Sequence, residues 1–147
     1  MPGYRFTRLI EKHADALARD LVILLQASDR TDSYRSIPTA ELEHDLRQLY
    51  QHLGEWLTTK TESDIQKRYF RLGSRRALQG VPIEQFLWAL VLGKEHVWYF
   101  LQREEVNDSA LQLLSELEFI FSLEQFFDRA LYYSTLGYRS AMREQVA

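Results

Sequence analysis

Apolar residues return at three- and four-residue intervals along almost the entire chain, and the residues that break helices fall between those stretches. Glycine occurs six times and proline three times in 147 residues, mostly at joints rather than inside alternating, strand-like patterns. The spacing predicts an all-α helical bundle of about five to six helices. The first runs from about Phe6 to Gln26, with Phe6, Ile10, His13, Leu17, Leu21 and Leu24 on one stripe, and ends in the polar loop Ser28 to Ser33. Ile37-Pro38-Thr39 opens the second, with Thr39 expected as N-cap and Glu41 in the first turn, where the helix dipole favours an acid. Leu42, Leu46, Leu49, Leu53 and Trp56 form its buried stripe.

A third helix, about Ser63 to Gln79, carries Phe70, Gly73 and Ala77 on one side and stops at Gly80, with Pro82 expected as the first residue of the next. The fourth, Pro82 to about Arg103, is apolar all round its circumference through Phe86 to Leu92 and Val97 to Leu101, which predicts a central or interface position. Asn107 or Asp108 is expected to cap the last helix. Its stripe holds Phe119, Leu123, Phe126, Ala130, Tyr133 and Gly137 and continues to about Arg143. Unbroken, that helix would reach roughly 50 Å against a domain diameter of roughly 30 to 40 Å, so it must break near Gly137 or project.

Residues 1–147 read as a single domain, because 46% hydrophobic and 27% charged residues suffice for one core. The absence of cysteine removes disulfides, thiolate metal sites and a cysteine nucleophile. Met1 to Phe6 lacks the apolar stretch of a signal peptide, and the longest apolar run, Phe86 to Leu92, is far too short to span a bilayer. A cytoplasmic chain with no membrane partner is expected. A net charge of −3 gives no general attraction to nucleic acid.

No nucleophile motif or phosphate loop is present, so no enzymatic activity is expected. Glu41-x-x-His44 matches half of a di-iron carboxylate motif, but the second half is missing and no metal is expected. His96 shares a stripe with Ala89, Leu92 and Phe100, where it is either a core histidine or the ligand of a haem or other cofactor in a globin-type sensor. No cofactor is the favoured expectation. His13 poses the same choice, and His52 falls on a polar face. Lys67, Arg68, Arg71, Arg75 and Arg76 form a basic edge on the third helix, read as solvated or paired with acids and not as a nucleic-acid surface.

Nineteen aromatic residues could line a pocket for a small apolar ligand, with Trp88, Leu92, His96, Tyr99 and Phe119 as its candidate walls. The apolar excess of the fourth and last helices predicts a homodimer. Phe126, Ala130, Tyr133, Gly137 and Tyr138 are the candidate dimer and signalling surface.

The run from Tyr69 to Leu90 (YFRLGSRRALQGVPIEQFLWAL), with its Arg-Ala pair, Gly-Val-Pro corner and following acid and leucines, resembles the N-terminal domain of the RsbR and RsbRD class of stressosome proteins. Ala130-Leu131-Tyr132-Tyr133 with Gly137-Tyr138 is similar to the closing helix of that domain. The resemblance implies a dimeric, globin-like bacterial sensor that binds no haem and passes a signal along its last helix to an output module. No phosphotransfer or anti-sigma-antagonist module lies within these residues, so a fragment or a stand-alone relative is expected.

Overall fold

The computed structural model describes residues 4–104 and 110–146, and among them every regular element is helical. In chain order these are α1 (Tyr4–Lys12), α2 (Ala14–Ala27), a 3₁₀ helix (Asp29–Ser36), α3 (Thr39–Gln51), α4 (Leu53–Thr58), α5 (Glu62–Leu78), α6 (Ile83–Glu104) and α7 (Ala110–Val146). The all-α expectation holds, with more and shorter helices than the apolar pattern implies.

Two histidines make the extra breaks. His13 takes φ −103°, ψ 20° between α1 and α2, and its ring Nδ1 lies 2.9 Å from the Leu9 carbonyl, a local bond that competes with helix continuation. His52 breaks α3 from α4 at φ −118°, ψ 21°. The apolar stripes run through both breaks, since Phe6, Ile10, Leu17, Leu21, Leu42, Leu49 and Leu53 are all buried. The polar loop after α2 is the 3₁₀ helix; its Thr31 hydroxyl donates to the Leu25 carbonyl at 2.6 Å, while Tyr34 enters the core.

Thr39 is not the N-cap. Pro38 holds that place without a side-chain bond, and the Thr39 hydroxyl instead accepts from Gln26 Nε2 at 3.2 Å. The side-chain cap belongs to α5, where Thr61 and Asp64 form a reciprocal capping box. Gly80, at φ +79°, ends α5 in the left-handed region that glycine enters without a steric penalty. Pro82 stands one position before α6, and its carbonyl accepts from the Gln85 and Phe86 amides.

Two apolar clusters make the core and share Leu46 and Leu72 at their boundary. One gathers Phe6, Ile10, Tyr50, Phe100, Phe119 and Phe126; the other gathers Leu21, Val22, Ile37, Val81, Phe86 and Tyr138. Tyr138 stacks on Phe86 at 6.1 Å and donates its hydroxyl to the Val81 carbonyl at 2.6 Å.

The axis of the molecule is the α5–α7 pair, the most extensive helix contact in the fold. Its backbones meet where two glycines face the opposite helix. A Cβ on Gly73 would sit 1.9 Å from the Ser134 carbonyl oxygen, and one on Gly137 would sit 2.0 Å from that of Phe70. α7 runs through Gly137 without a break for 37 residues, about 55 Å at 1.5 Å per residue.

Within the subunit α6 is not central, the first of the two positions, central or interface, that its sequence predicts. It packs on the 3₁₀ helix, α2 and α7, leaving Leu87, Trp88, Leu90, Val91 and Leu92 only half-buried. Trp88 is covered by the Arg30 guanidinium, 4.6 Å above its ring. No helix among the described residues is long and apolar enough to cross a membrane.

Candidate ligand-binding cavity

α3, α5 and α6 make few close backbone approaches to one another and meet through side chains, Leu42, Ala77 and Phe86 sharing one apolar cluster. The gap between the three helices is a cavity of about 400 Å³, closed at its base by α2 and α7. Its volume lies in the range of small-molecule sites, roughly 300 to 1,000 Å³.

The interior is apolar because each surrounding helix turns its leucine or aromatic face inward. Leu21 and Leu25 come from α2, Leu42, Leu46 and Leu49 from α3, Leu72 from α5, Phe86, Ala89 and Leu90 from α6, and Phe127 and Ala130 from α7. Tyr34, Tyr50 and Tyr69 also line it. Burial pushes the Tyr34 phenol up to about 12, opposed by the nearby Arg76 charge, and burial likewise raises Tyr50 and Tyr69. All three stay neutral at ordinary pH, so the interior carries no negative charge.

The opening is cationic. Every exposed lining residue, namely Lys60, Lys67, Arg71 and Arg75, carries a positive charge. The two lining carboxylates are engaged: Asp45 pairs with Arg75 at 2.9 Å and Arg76 at 3.7 Å, and Asp64 serves the Thr61 capping box. Lys60 and Arg68 lie over the Trp56 ring at 5.6 and 5.4 Å. Lys67 and Arg71 make no ion pair within 4.0 Å among the described residues, although the Lys67 charge, after the Thr61 hydrogen bonds, helps hold the Asp64 carboxyl below its usual range.

Side-chain bridges hold α3 to α5 along one rim. The buried guanidinium of Arg76 reaches Glu41 at 3.2 Å and Gln79 at 2.8 Å, Gln79 donates to Glu41 at 2.9 Å, and Arg68 donates to the Asp45 carbonyl at 3.2 Å. The Gln79 hydrogen bond, opposed next by burial and then reinforced by the charge and hydrogen bond of Arg76, holds Glu41 below the usual carboxylate range. Glu41 is therefore committed to α5. His44 is exposed, and no group of three or more metal-ligating side chains occurs among the described residues.

The proposed walls Trp88, Leu92, His96 and Tyr99 do not line this cavity, and neither does Phe119. Phe119 is buried against Phe6 at 5.5 Å in the other cluster, and Tyr99 faces solvent. The register of α6 explains the difference, since Phe86, Ala89, Leu90 and Gly93 occupy the face turned to this cavity. The cavity residues of α3, α5 and α7 come from far along the chain, and no periodicity within one helix points to them. The basic edge was the visible part, because Lys67 and Arg71 sit one turn apart beside Leu72.

Most of the expected dimer and signalling surface faces into the subunit. Phe126, Ala130 and Tyr138 are buried within the subunit, Gly137 lies against the Phe70 backbone, and the Tyr133 hydroxyl donates to Glu62 at 2.7 Å. This stripe packs against α5 and, through Phe126 and Tyr138, also against Trp56 of α4 and Phe86 of α6.

His96 keeps its Nδ1 buried without a hydrogen-bond partner. Burial lowers its pKa from 6.5, an effect that Asp20 opposes and Arg103 reinforces. The unfolded chain thus binds a proton near pH 6.5 that the folded chain refuses, so this contribution to stability is present above that pH and lost below it. Between pH 7 and about 5.5, the urea midpoint is expected to fall more steeply for the wild type than for His96→Gln.

Comparison with curated proteins and with solved structures returns no significant match. The family described as the RsbT co-antagonist protein rsbRD N-terminal domain does match, over residues 15–147, which takes in α2 from Asp15, all of α3 to α7 and thus every wall of the cavity. The chain belongs to the RsbT co-antagonist protein rsbRD N-terminal domain family.

Proposed function

We propose that the chain is a non-catalytic sensory domain that dimerises in the bacterial cytoplasm and relays a signal through α7 to an output module or partner protein. Its family is one of stressosome-type signalling domains. The observation that carries the reading is the Gly73–Gly137 crossing. It ties a cavity wall to the long last helix with backbone-to-backbone contact, so a displacement of α5 cannot be absorbed by side-chain rotation.

For the dimer, support comes from the face of α7 turned away from α5. Leu114, Leu117 and Phe121 follow one another at three- and four-residue spacing, and Leu117 and Phe121 are 54% and 67% exposed, an apolar strip of the kind that marks interfaces. Sedimentation equilibrium is expected to give a dimer, and Leu117→Glu/Phe121→Glu a monomer. The monomer's own stability should change by less than about 0.5 kcal/mol per substitution, because both residues are exposed in the subunit, when unfolding is followed at a concentration too low for the wild type to dimerise. A strictly monomeric wild type at high concentration removes the dimer from this reading. The cofactor reading rests on the unpartnered Nδ1 of His96 alone. A Soret band on haem addition, lost in His96→Ala, would establish it in place of the first.

A further inference from the structure

We propose that the cavity between α3, α5 and α6 binds a single-chain amphiphile with an anionic head, of the fatty-acid class, with its tail in the leucine-lined interior and its head at Lys67 and Arg71. The proposal rests on the sensory reading above and supplies its ligand. Three features select this chemistry.

The interior offers a polar molecule little to bond, since its buried lining is apolar and aromatic except for Arg76, whose guanidinium is already engaged by Glu41, Asp45 and Gln79. A hydrocarbon tail gains free energy there from leaving water. The exposed lining residues are all cations, in a chain whose net charge is −3. A cationic head would be repelled, and a neutral one would leave that local charge unused. Lys67 and Arg71 lie one turn apart on α5, with the charge and donors to take a carboxylate between them.

α5 contributes both the cationic lip and, through Leu72, the inner wall. A molecule bridging the two regions contacts the helix whose backbone is locked to α7 at Gly73.

The test is titration of the full chain with dodecanoate below its micelle concentration, followed by calorimetry and by the fluorescence of Trp56 at the opening. Saturable binding of one dodecanoate per chain is expected, with dodecanol at least about tenfold weaker and dodecyltrimethylammonium not bound. Lys67→Glu/Arg71→Glu, two exposed positions that leave the core intact, should weaken dodecanoate by about tenfold or more and leave dodecanol unchanged. Ala89→Trp, which fills the cavity, should abolish both while circular dichroism confirms the fold. Equal affinity for dodecanoate and dodecanol overturns the anionic head. Retention of dodecanoate by Ala89→Trp overturns the site, and binding only to anionic vesicles overturns the free amphiphile in favour of a membrane surface. The sensory reading fails separately, if dodecanoate binds but changes neither the sedimentation nor the hydrogen exchange of α7.

Discussion

Gly137→Ala is expected to cost about 3 kcal/mol, lowering the melting temperature by about 10 °C in a chain of this length, and Gly73→Ala should do the same. An alanine inside a helix normally gains up to about 1 kcal/mol over glycine, so the expected sign is opposite to the propensity rule. The reason is that every atom a new methyl would meet is backbone. On Gly137 the methyl would lie 2.0, 2.7 and 2.9 Å from the oxygen, carbonyl carbon and Cα of Phe70. No rotamer can relieve that. The helices must separate by about 1.4 Å to restore ordinary contact near 3.4 Å. Separation loosens the Tyr69–Phe126 ring contact at 5.7 Å and the bond from the Ser74 hydroxyl to the Gly137 carbonyl at 3.1 Å. The double variant should cost less than the sum of the singles, because the first methyl already moves the helices apart. Gly80→Ala is the control for backbone strain alone: with nothing within 4 Å of the new methyl and φ +79°, it should cost about 1 to 2 kcal/mol. Denaturant midpoints of the four variants check the whole set. Alanine at Gly73 or Gly137 that proves neutral or stabilising would mean that the crossing is loose and cannot relay displacement.

What the sequence discloses here is the set of faces, and what it withholds is their pairing. Ala130, Ser134, Gly137 and Ala141 form a visible stripe of small residues on α7, and such a stripe lets two helices approach closely whether they belong to one chain or two. The structure uses it inside the subunit, against α5. α6 misleads in a related way: apolar groups all round a helix show that it could be buried, yet its neighbours stand back to form the cavity and leave much of it half-covered. The break at His13 carries no glycine or proline signal, and the glycine nearest the break at His52, Gly54, lies inside α4, so the stripe was legible across both while the joints were not. The Thr61–Asp64 capping box was readable from Thr-x-x-Asp, because that pattern has a local mechanism. Likewise the basic edge of α5 could be found from spacing alone. That it borders a cavity depends on leucines of α2 and α3 and on Phe86, whose meeting is a tertiary fact.

Arg76→Met is expected to cost about 2 to 3 kcal/mol, whereas Arg75→Met on the neighbouring position should cost less than about 1 kcal/mol. Both arginines pair with Asp45, so the difference isolates burial. Arg76 has a side chain only 5% exposed and holds Glu41, Asp45 and Gln79 together, with its guanidinium 5.7 Å from the Tyr34 ring centroid. Methionine keeps most of the packing volume but leaves two carboxylates of α3, one turn apart, facing the α3–α5 gap without the buried charge beside them, with only Asp45 retaining an arginine partner in Arg75. Losing one partner of a fully buried pair costs about 3 to 5 kcal/mol. The smaller figure applies because both carboxylates retain contact with water. Acid should narrow the gap between variant and wild type. Glu41 is held below its ordinary 4.5 by Gln79 and then by Arg76, so the stability it contributes is present above that pH and is lost as pH falls further. The variant keeps Gln79 but lacks the guanidinium and has less to lose. Adding Glu41→Gln to Arg76→Met should recover part of the cost at neutral pH, since it removes one of the stranded charges. Equal costs for Arg75→Met and Arg76→Met would sink this account. The buried guanidinium would then add nothing beyond the more exposed links that also join α3 to α5 through Arg68, Arg75 and Gln79.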